Sequence, residues 1–289
     1  MFATIEKALD IEELAQFLAE MNKQKTSHIG YCGDEAEEIL QTLQADFIAK
    51  DGTINFIIAR NHEGAIIAAI GIDMDDASAE VWGPFNQTGS SDLQQRLWQQ
   101  LVSVYPTVQS YYFFINHQNL QQQAFMDALN AQKSGEHFVL EIKENAFNKV
   151  SEIKSEPFKQ SDFSQFETLH AETFPGTYYD AATIIERLSA NRILKVLKNE
   201  SDDLQGYAYF EVNSEMAEAS LEYLAIAQNA QNQGLGTMLL QEVLTEMFAY
   251  VHIHHITLCV DNTNSQANHL YFKAGFTAQD ILVSYALRI

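Results

Sequence analysis

The run Leu221-Glu222-Tyr223-Leu224-Ala225-Ile226, then Gln228-Asn229-Ala230, then Gln231-Asn232-Gln233-Gly234-Leu235-Gly236-Thr237, then Met238 to Phe248, decides the fold. Its first part is rich in apolar and β-prone residues and reads as a strand. Its last part carries Leu239, Val243, Leu244 and Met247 at helical spacing. A strand that feeds a glycine-containing loop and then a helix N-terminus makes an anion site. Successive backbone N–H groups point at the bound group, and the helix dipole favours negative charge. Gly234 and Gly236 let the main chain approach an anion with no Cβ in the way. No Lys-Ser/Thr pair follows, so the loop is not a Walker A motif. No acidic ribose-binding residue stands where a dinucleotide fold needs one.

A second motif lies downstream. Thr257-Leu258-Cys259-Val260-Asp261-Asn262-Thr263-Asn264 reads as a strand running into a loop, and Ala267, Leu270, Tyr271, Phe272, Lys273, Ala274, Gly275 and Phe276 follow. Gln231-x-x-Gly234-x-Gly236 resembles the pyrophosphate loop of the GNAT superfamily of N-acetyltransferases, Q/R-x-x-G-x-G/A. The later stretch resembles that family's N-x-x-A-x-x-L-Y-x-x-x-G-F signature, with Asn264, Ala267, Leu270, Tyr271 and Gly275-Phe276 in place. The resemblance covers about residues 150 to 289.

The resemblance implies acetyl-CoA as cosubstrate, with no metal. The strand should splay from its neighbour so that Leu224, Ala225 and Ile226 bind the pantetheine arm like an added strand. Gln231, Asn232, Gln233, Gly234, Leu235, Gly236 and Thr237 should hold the pyrophosphate. Asn264 should contact the cofactor, and Tyr271 should stand near the thioester sulfur as the acid that protonates the leaving thiolate. The reaction implied is direct attack of a primary amine on the acetyl carbonyl. In many relatives the base is a Glu at the position that matches Ser220 here. Glu222, two residues on and on the same strand face, is the candidate in this chain; the alternative is that it binds substrate or faces solvent. Tyr178 and Tyr179, between the first two helices of this half, are candidates for the acceptor pocket. The acceptor is a small-molecule or peptide amine, and a homodimer is compatible with the family. The competing reading is a catalytically silent acyl-CoA-binding or scaffold protein, which the Ser at 220 leaves open.

The chain also repeats itself. A shift of 145 residues brings Gly89 onto Gly234, Asn119 onto Asn264, Gln121 onto Gln266 and Phe125 onto Leu270. The strand Tyr112 to Ile115 falls on Thr257 to Val260. A period this long means duplicated domains rather than a solenoid. The expected division is 1–147 and 148–289, in the polar stretch Lys143 to Pro157. Each half reads as two helices (Asp10–Met21 and Asp34–Leu43; Ser161–Thr173 and Asp180–Ser189), then antiparallel strands, then helix, strand, helix and strand. The fold class expected is α/β: two tandem GNAT domains, each a mixed, mostly antiparallel sheet flanked by helices. In the first half the loop is Asn86-Gln87-Thr88-Gly89-Ser90-Ser91, without the leading Gln and the second glycine, and Met126 stands where Tyr271 does. That half is expected to be a degenerate GNAT-like domain with a structural or substrate-shaping role.

Composition bounds the rest. Hydrophobic residues make up 46% of the 289 residues, with 18 Phe and 12 Tyr, enough to fill two cores. Lys plus Arg number 17 against 39 Asp plus Glu, a net charge of −22. Such a surface repels nucleic acid and anionic membranes and would favour a cationic acceptor; the alternative is a solvated acidic surface that serves solubility alone. Two cysteines, Cys32 and Cys259, make no disulfide framework, and Cys259 is expected in the core. No signal peptide and no apolar run of membrane-spanning length is visible, so a cytoplasmic location is expected. His252, His254 and His255 lack partner ligand spacing and are expected at the surface, as are His269 and Lys273.

Overall fold

The computed structural model describes residues 3–289. In chain order the elements are β1 (Thr4–Lys7), α1 (Ile11–Asn22), α2 (Ala36–Asp46), β2 (Phe56–Arg60), β3 (Ile66–Asp75), β4 (Ser78–Asn86), α3 (Ser91–Val104), β5 (Ser110–Asn116), α4 (Leu120–Leu129) and β6 (Gln132–Lys143). They continue as β7 (Glu156–Pro157), α5 (Phe163–Thr173), α6 (Ala181–Arg187), β8 (Arg192–Lys198), β9 (Leu204–Asn213), β10 (Glu218–Ile226), α7 (Leu235–Met247), β11 (His255–Asp261), α8 (Ser265–Ala274) and β12 (Thr277–Arg288). The short edge strands β1 and β7 were not legible as strands. The helix expected from Met238 begins earlier, at Leu235, directly after Gly234.

Local chemistry accounts for the helix starts. Asp10 caps α1, its Oδ1 accepting the N–H groups of Glu12 and Glu13 at 3.0 Å each. Asp180 caps α6 through the N–H of Thr183 at 2.7 Å. The repeat is visible in the caps as well. Asn119 and Asn264 cap α4 and α8 in the same way, accepting from Gln122 N–H and Ala267 N–H at 3.1 Å each. Both helices end on a left-handed residue, Asn130 and Gly275.

The chain forms two compact units, and their limits differ from the expected division near residue 148. The first holds the chain up to His137 together with Asp280–Ile289; the second is Phe138–Gln279. In the first unit the strands run β1-β2-β3-β4-β5-β12, and Leu282–Arg288 of β12 pair antiparallel with Ser110–Asn116 of β5. In the second they run β6-β11-β10-β9-β8-β7, with Leu140 and Ile142 of β6 in the core. The strand that ends the sequence therefore closes the first sheet, and β6 belongs to the second. A sequence repeat gives the order of elements but not which sheet takes the last strand.

Each sheet is covered on both faces. In the first unit α1 and α2 contribute Leu14, Leu18, Ile39 and Leu43 to one side, and α3 and α4 contribute Leu97, Leu101, Phe125 and Met126 to the other. In the second unit α7 and α8 pack Leu239, Val243, Leu244 and Tyr271 on one face, and α5 and α6 pack Phe166, Leu169 and Ile184 on the other. Parallel pairing occurs at β4–β5 and β10–β11, while the ladders β1–β2, β2–β3, β3–β4, β8–β9 and β9–β10 are antiparallel.

Candidate active site

Strand β10 is where the second unit opens. It is tied to β11 at Ser220↔Thr257 and to β9 as far as Ile226↔Gly206. The ladder to β9 slips by one residue between Leu221 and Tyr223, so Glu222 is the extra residue of a bulge. The bulge changes which side chains face which layer. Before it Ala219 and Leu221 join the core under α7; after it Tyr223 and Ala225 join the core under α5 and α6. Past the bulge, Leu224, Ala225 and Ile226 line a cavity of about 310 Å³ whose other wall is α8.

The cavity gathers the sequence candidates. Leu224, Ala225, Ile226, Gln231, Asn232, Gly234, Gly236, Thr237, Asn264 and Tyr271 all line it. Gln233 does not; its side-chain amide donates to Asn229 O at 3.1 Å. Leu235 also lies off the wall, as the first residue of α7. Sequence reasoning missed Thr173 at the end of α5 and the row Gln266, His269, Leu270 and Lys273 on α8. His269 and Lys273 are exposed as expected, yet they stand at the cavity. Their spacing of three, four and seven residues from Gln266 was the available signal; Thr173 carried none.

The loop is shaped for an anion. Asn232 and Gly234 both take left-handed backbone, at φ 60° and 82°. Gly234 is the N-cap of α7, and no side chain caps the first turn, so its N–H groups stay free for a ligand. A Cβ on Gly236 would meet only Ile226 and Leu270, at 3.5 and 3.8 Å. Gln231 braces the loop by donating to Ile226 O at 3.0 Å. Ala267, opposite, is a small residue on the α8 wall. These features fit a cofactor with a pyrophosphate and a narrow extended arm, with Lys273 placed for a further phosphate.

The two candidate catalytic groups are tuned in the same direction by different surroundings. Burial pushes the Tyr271 hydroxyl up to about 12, so it holds its proton at neutral pH. Its ring sits edge-on to Phe276, centroids 5.6 Å apart. Glu222 accepts a hydrogen bond from the Ser220 hydroxyl. Its carboxyl lies above the usual range, raised first by poor hydration within the fold and then by the charge of Glu211. Cys259 is exposed rather than in the core. Its thiol is pushed up to about 12 by the same poor hydration and by the charge of Glu222. Tyr178 is 72% exposed, while Tyr179 is partly buried with Arg187 over its ring at 4.2 Å. Among the described residues no group of three or more His, Cys, Asp or Glu is placed to hold a metal.

The corresponding region of the first unit is built differently. The turn from β4 to α3 spans residues 87–90, against 227–234 in the second unit. Its polar groups satisfy one another: Asn86 Oδ1 accepts from Thr88 N–H at 3.0 Å, and Ser90 Oγ caps Leu93 N–H at 3.3 Å. Gln122, at the position of Ala267, is buried and donates to Gly83 O on β4. The strand edge that faces a cavity in the second unit is here bonded to a side chain.

The model of the acetyltransferase (GNAT) family matches residues 156–276. Within the second unit, this segment is similar to that family. Solved structures extend the likeness of fold to the whole chain. A GCN5-related N-acetyltransferase from Sphaerobacter thermophilus superposes with a TM-score of 0.77 at 14% identity, over 99% of this chain and 95% of that one. A tandem GNAT protein from the clavulanic acid biosynthesis pathway gives 0.67 at 12% identity, over 99% and 98%. A GNAT-family acetyltransferase from Colwellia psychrerythraea gives 0.54 at 14%, over 99% and 100%. The chain thus carries a tandem GNAT fold, and the chemistry that this fold supports is acyl transfer.

Proposed function

We propose that the second unit transfers an acetyl group from acetyl-CoA to a primary amine. The observation that carries this reading is the cavity between the free edge of β10 and α8. At one side it has an uncapped, glycine-shaped helix N-terminus for the pyrophosphate, and along its wall it has a protonated tyrosine. The amide groups of Leu224–Ile226 bind the pantetheine arm as a strand would, and a main-chain N–H there polarises the thioester carbonyl. Glu222, with its raised carboxyl, takes a proton from the incoming ammonium directly or through water. Tyr271 then gives its proton to the departing sulfur. The amine nitrogen forms its bond to the acetyl carbon as the carbon–sulfur bond breaks, free coenzyme A leaves as the thiol, and the second proton that the nitrogen sheds returns Tyr271 to its protonated form through solvent.

The first unit serves as a degenerate partner domain, with its anion loop self-capped and its strand edge occupied by Gln122. Two free thiols suit a reducing cytoplasm as the place of action. The acidic surface favours cationic acceptors.

The test is thiol release from acetyl-CoA with a panel of amines: an amino acid, a polyamine, an aminoglycoside and a lysine peptide. Tyr271→Phe should lower turnover by about 10²- to 10⁴-fold with acetyl-CoA affinity little changed. A wild-type protein that binds acetyl-CoA but releases no thiol with any of these amines would favour the silent, acyl-CoA-binding scaffold.

A further inference from the structure

Four neighbouring strands of the second unit each place a polar residue at the same level. Arg192 of β8 stands opposite Glu211 of β9, Glu211 opposite Ser220 of β10, and Ser220 opposite Thr257 of β11. Residues directly opposite one another share a face of the sheet. Ala219 and Leu221, on either side of Ser220, belong to the core under α7, so the row looks out on the other face. Arg192, Glu211, Ser220 and Thr257 are half-buried there, while Glu222, two residues after Ser220, is exposed.

Two carboxylates serve this row, and their partners set them apart. Glu211 Oε1 accepts from the Tyr209 hydroxyl at 2.6 Å and from Arg187 Nη2 at 2.9 Å. Its Oε2 accepts from Arg187 Nη2 and Arg192 Nε at 3.2 Å each. With both oxygens engaged by two guanidinium groups and a phenol, Glu211 is a poor receiver for a substrate proton. Glu222 is held differently. The Ser220 hydroxyl donates to its Oε1, which leaves Oε2 to receive a proton. An exposed glutamate otherwise samples many rotamers, and this hydrogen bond selects those that lay the carboxylate back along β10 to the level of the row.

We infer that Ser220 is a positioning residue for Glu222: its hydroxyl ties one carboxylate oxygen to the polar row and turns the other towards the incoming amine. The inference rests on the proposed acetyl transfer with Glu222 as its base. The electrostatics agree with the geometry. Poor hydration raises the Glu222 carboxyl first; the Ser220 hydroxyl opposes it, the charge of Glu211 adds to it, and Arg187 opposes it again. Poor hydration and then the charge of Glu222 raise the Cys259 thiol, and Tyr179, raised first by burial, feels Glu222 among smaller effects.

Ser220→Ala and Ser220→Thr test the inference as a pair. The alanine removes the hydroxyl, and the threonine keeps it and suits a strand. Thermal melts check that both variants fold. With the panel amine that releases most thiol, Ser220→Ala should lower kcat/KM about tenfold at neutral pH, the effect of one hydrogen bond to a charged group. The acidic limb of its pH–rate profile should move to higher pH, because the lost hydrogen bond favoured the ionised carboxylate. Acetyl-CoA affinity by calorimetry should stay within about twofold, since loop 231–237 is untouched. Ser220→Thr should recover most of both effects, which loss of a merely structural contact would not require. A direct titration separates the hold on the carboxylate from its use. With glutamate isotope-labelled at Cδ, and Glu222→Gln to identify its resonance, the Glu222 midpoint should rise in Ser220→Ala and return in Ser220→Thr. An unmoved midpoint would overturn the inference, as would wild-type kinetics in Ser220→Ala where Glu222→Gln is impaired. An acidic limb that survives in Glu222→Gln would strike the proposed base itself. A midpoint that still rises in Ser220→Ala would then uphold the hold on the carboxylate, and an unmoved one would overturn both.

Discussion

Glu222 and Tyr271 are both pushed towards their protonated forms by their surroundings, yet the proposed acetyl transfer asks opposite things of them. For an acid, a hydroxyl raised to about 12 is an advantage, because it still holds the proton it must give. For a base, a raised carboxyl brings its affinity for protons closer to that of an amine, at the expense of activity in acid. In the proposed role of base Glu222 works only when ionised, so kcat/KM should fall as pH drops through its raised pKa, above the usual carboxylate range. A pH–rate profile checks this: Glu222→Gln should lower kcat/KM by about 10²-fold and abolish that acidic limb. A limb that survives in the variant would mean that another group is the base. His170 shows the other face of linkage. Burial lowers its pKa, so below about 6.5 the unfolded chain takes up a proton that the folded chain refuses. Its contribution to stability is complete above that pH and declines as pH falls towards the folded value. Urea denaturation at stepped pH should show this loss in the wild type and a flatter dependence in His170→Phe.

The loop before α7 and its counterpart before α3 show why a repeat in sequence need not be a repeat in chemistry. Both start a helix beside a parallel strand pair, but Ser90 caps one and Gly234 leaves the other open. Sequence alone made this contrast legible, since Gly234, Gly236, Asn264 and Tyr271 fall in a recognisable order. The plug in the first unit was not legible: Gln122 is unremarkable as a letter, and only the fold shows its amide on Gly83 O. The bulge at Glu222 was equally hidden, because a one-residue slip depends on the partner strand β9. The exposure of Cys259 follows from the same limit. An apolar strand predicts burial, whereas helices α5 and α6 cover the sheet over β8 to β10 and leave this part of the face open. Glu242 on α7 illustrates a buried charge used as a clamp. Its carboxylate accepts the N–H groups of Lys154 and Ser155 at 2.9 and 2.8 Å, holding the approach to β7. Glu242→Ala should destabilise the protein by about 2–4 kcal/mol, read from denaturant midpoints, because two N–H groups lose their partner. A change under about 0.5 kcal/mol would mean that water replaces the clamp.

Across the whole molecule, the exchange of terminal strands decides where the chain can be cut. A fragment of residues 148–289, the division expected from the repeat, lacks Leu140 and Ile142, which are buried in the second core. It also carries Leu282, Val283 and Tyr285, whose places are in the first unit. At about 1.5–3 kcal/mol for each buried side chain, these losses rival the stability of a domain. That fragment should be unfolded by circular dichroism, and a cooperative transition near that of the full chain would contradict the strand assignment. The central claim is that one unit, the second, holds the acetyl-CoA site. Calorimetric titration of the full-length chain with acetyl-CoA, wild type against Gly236→Asp, tests it most directly. The substitution strains no backbone, since a Cβ there meets only ordinary contacts, but it places a carboxylate in the anion loop. The account predicts one site per chain in the wild type and affinity lower by about 100-fold in the variant, from repulsion between like charges at short range. Two sites per chain, or one site indifferent to Gly236→Asp, would contradict it.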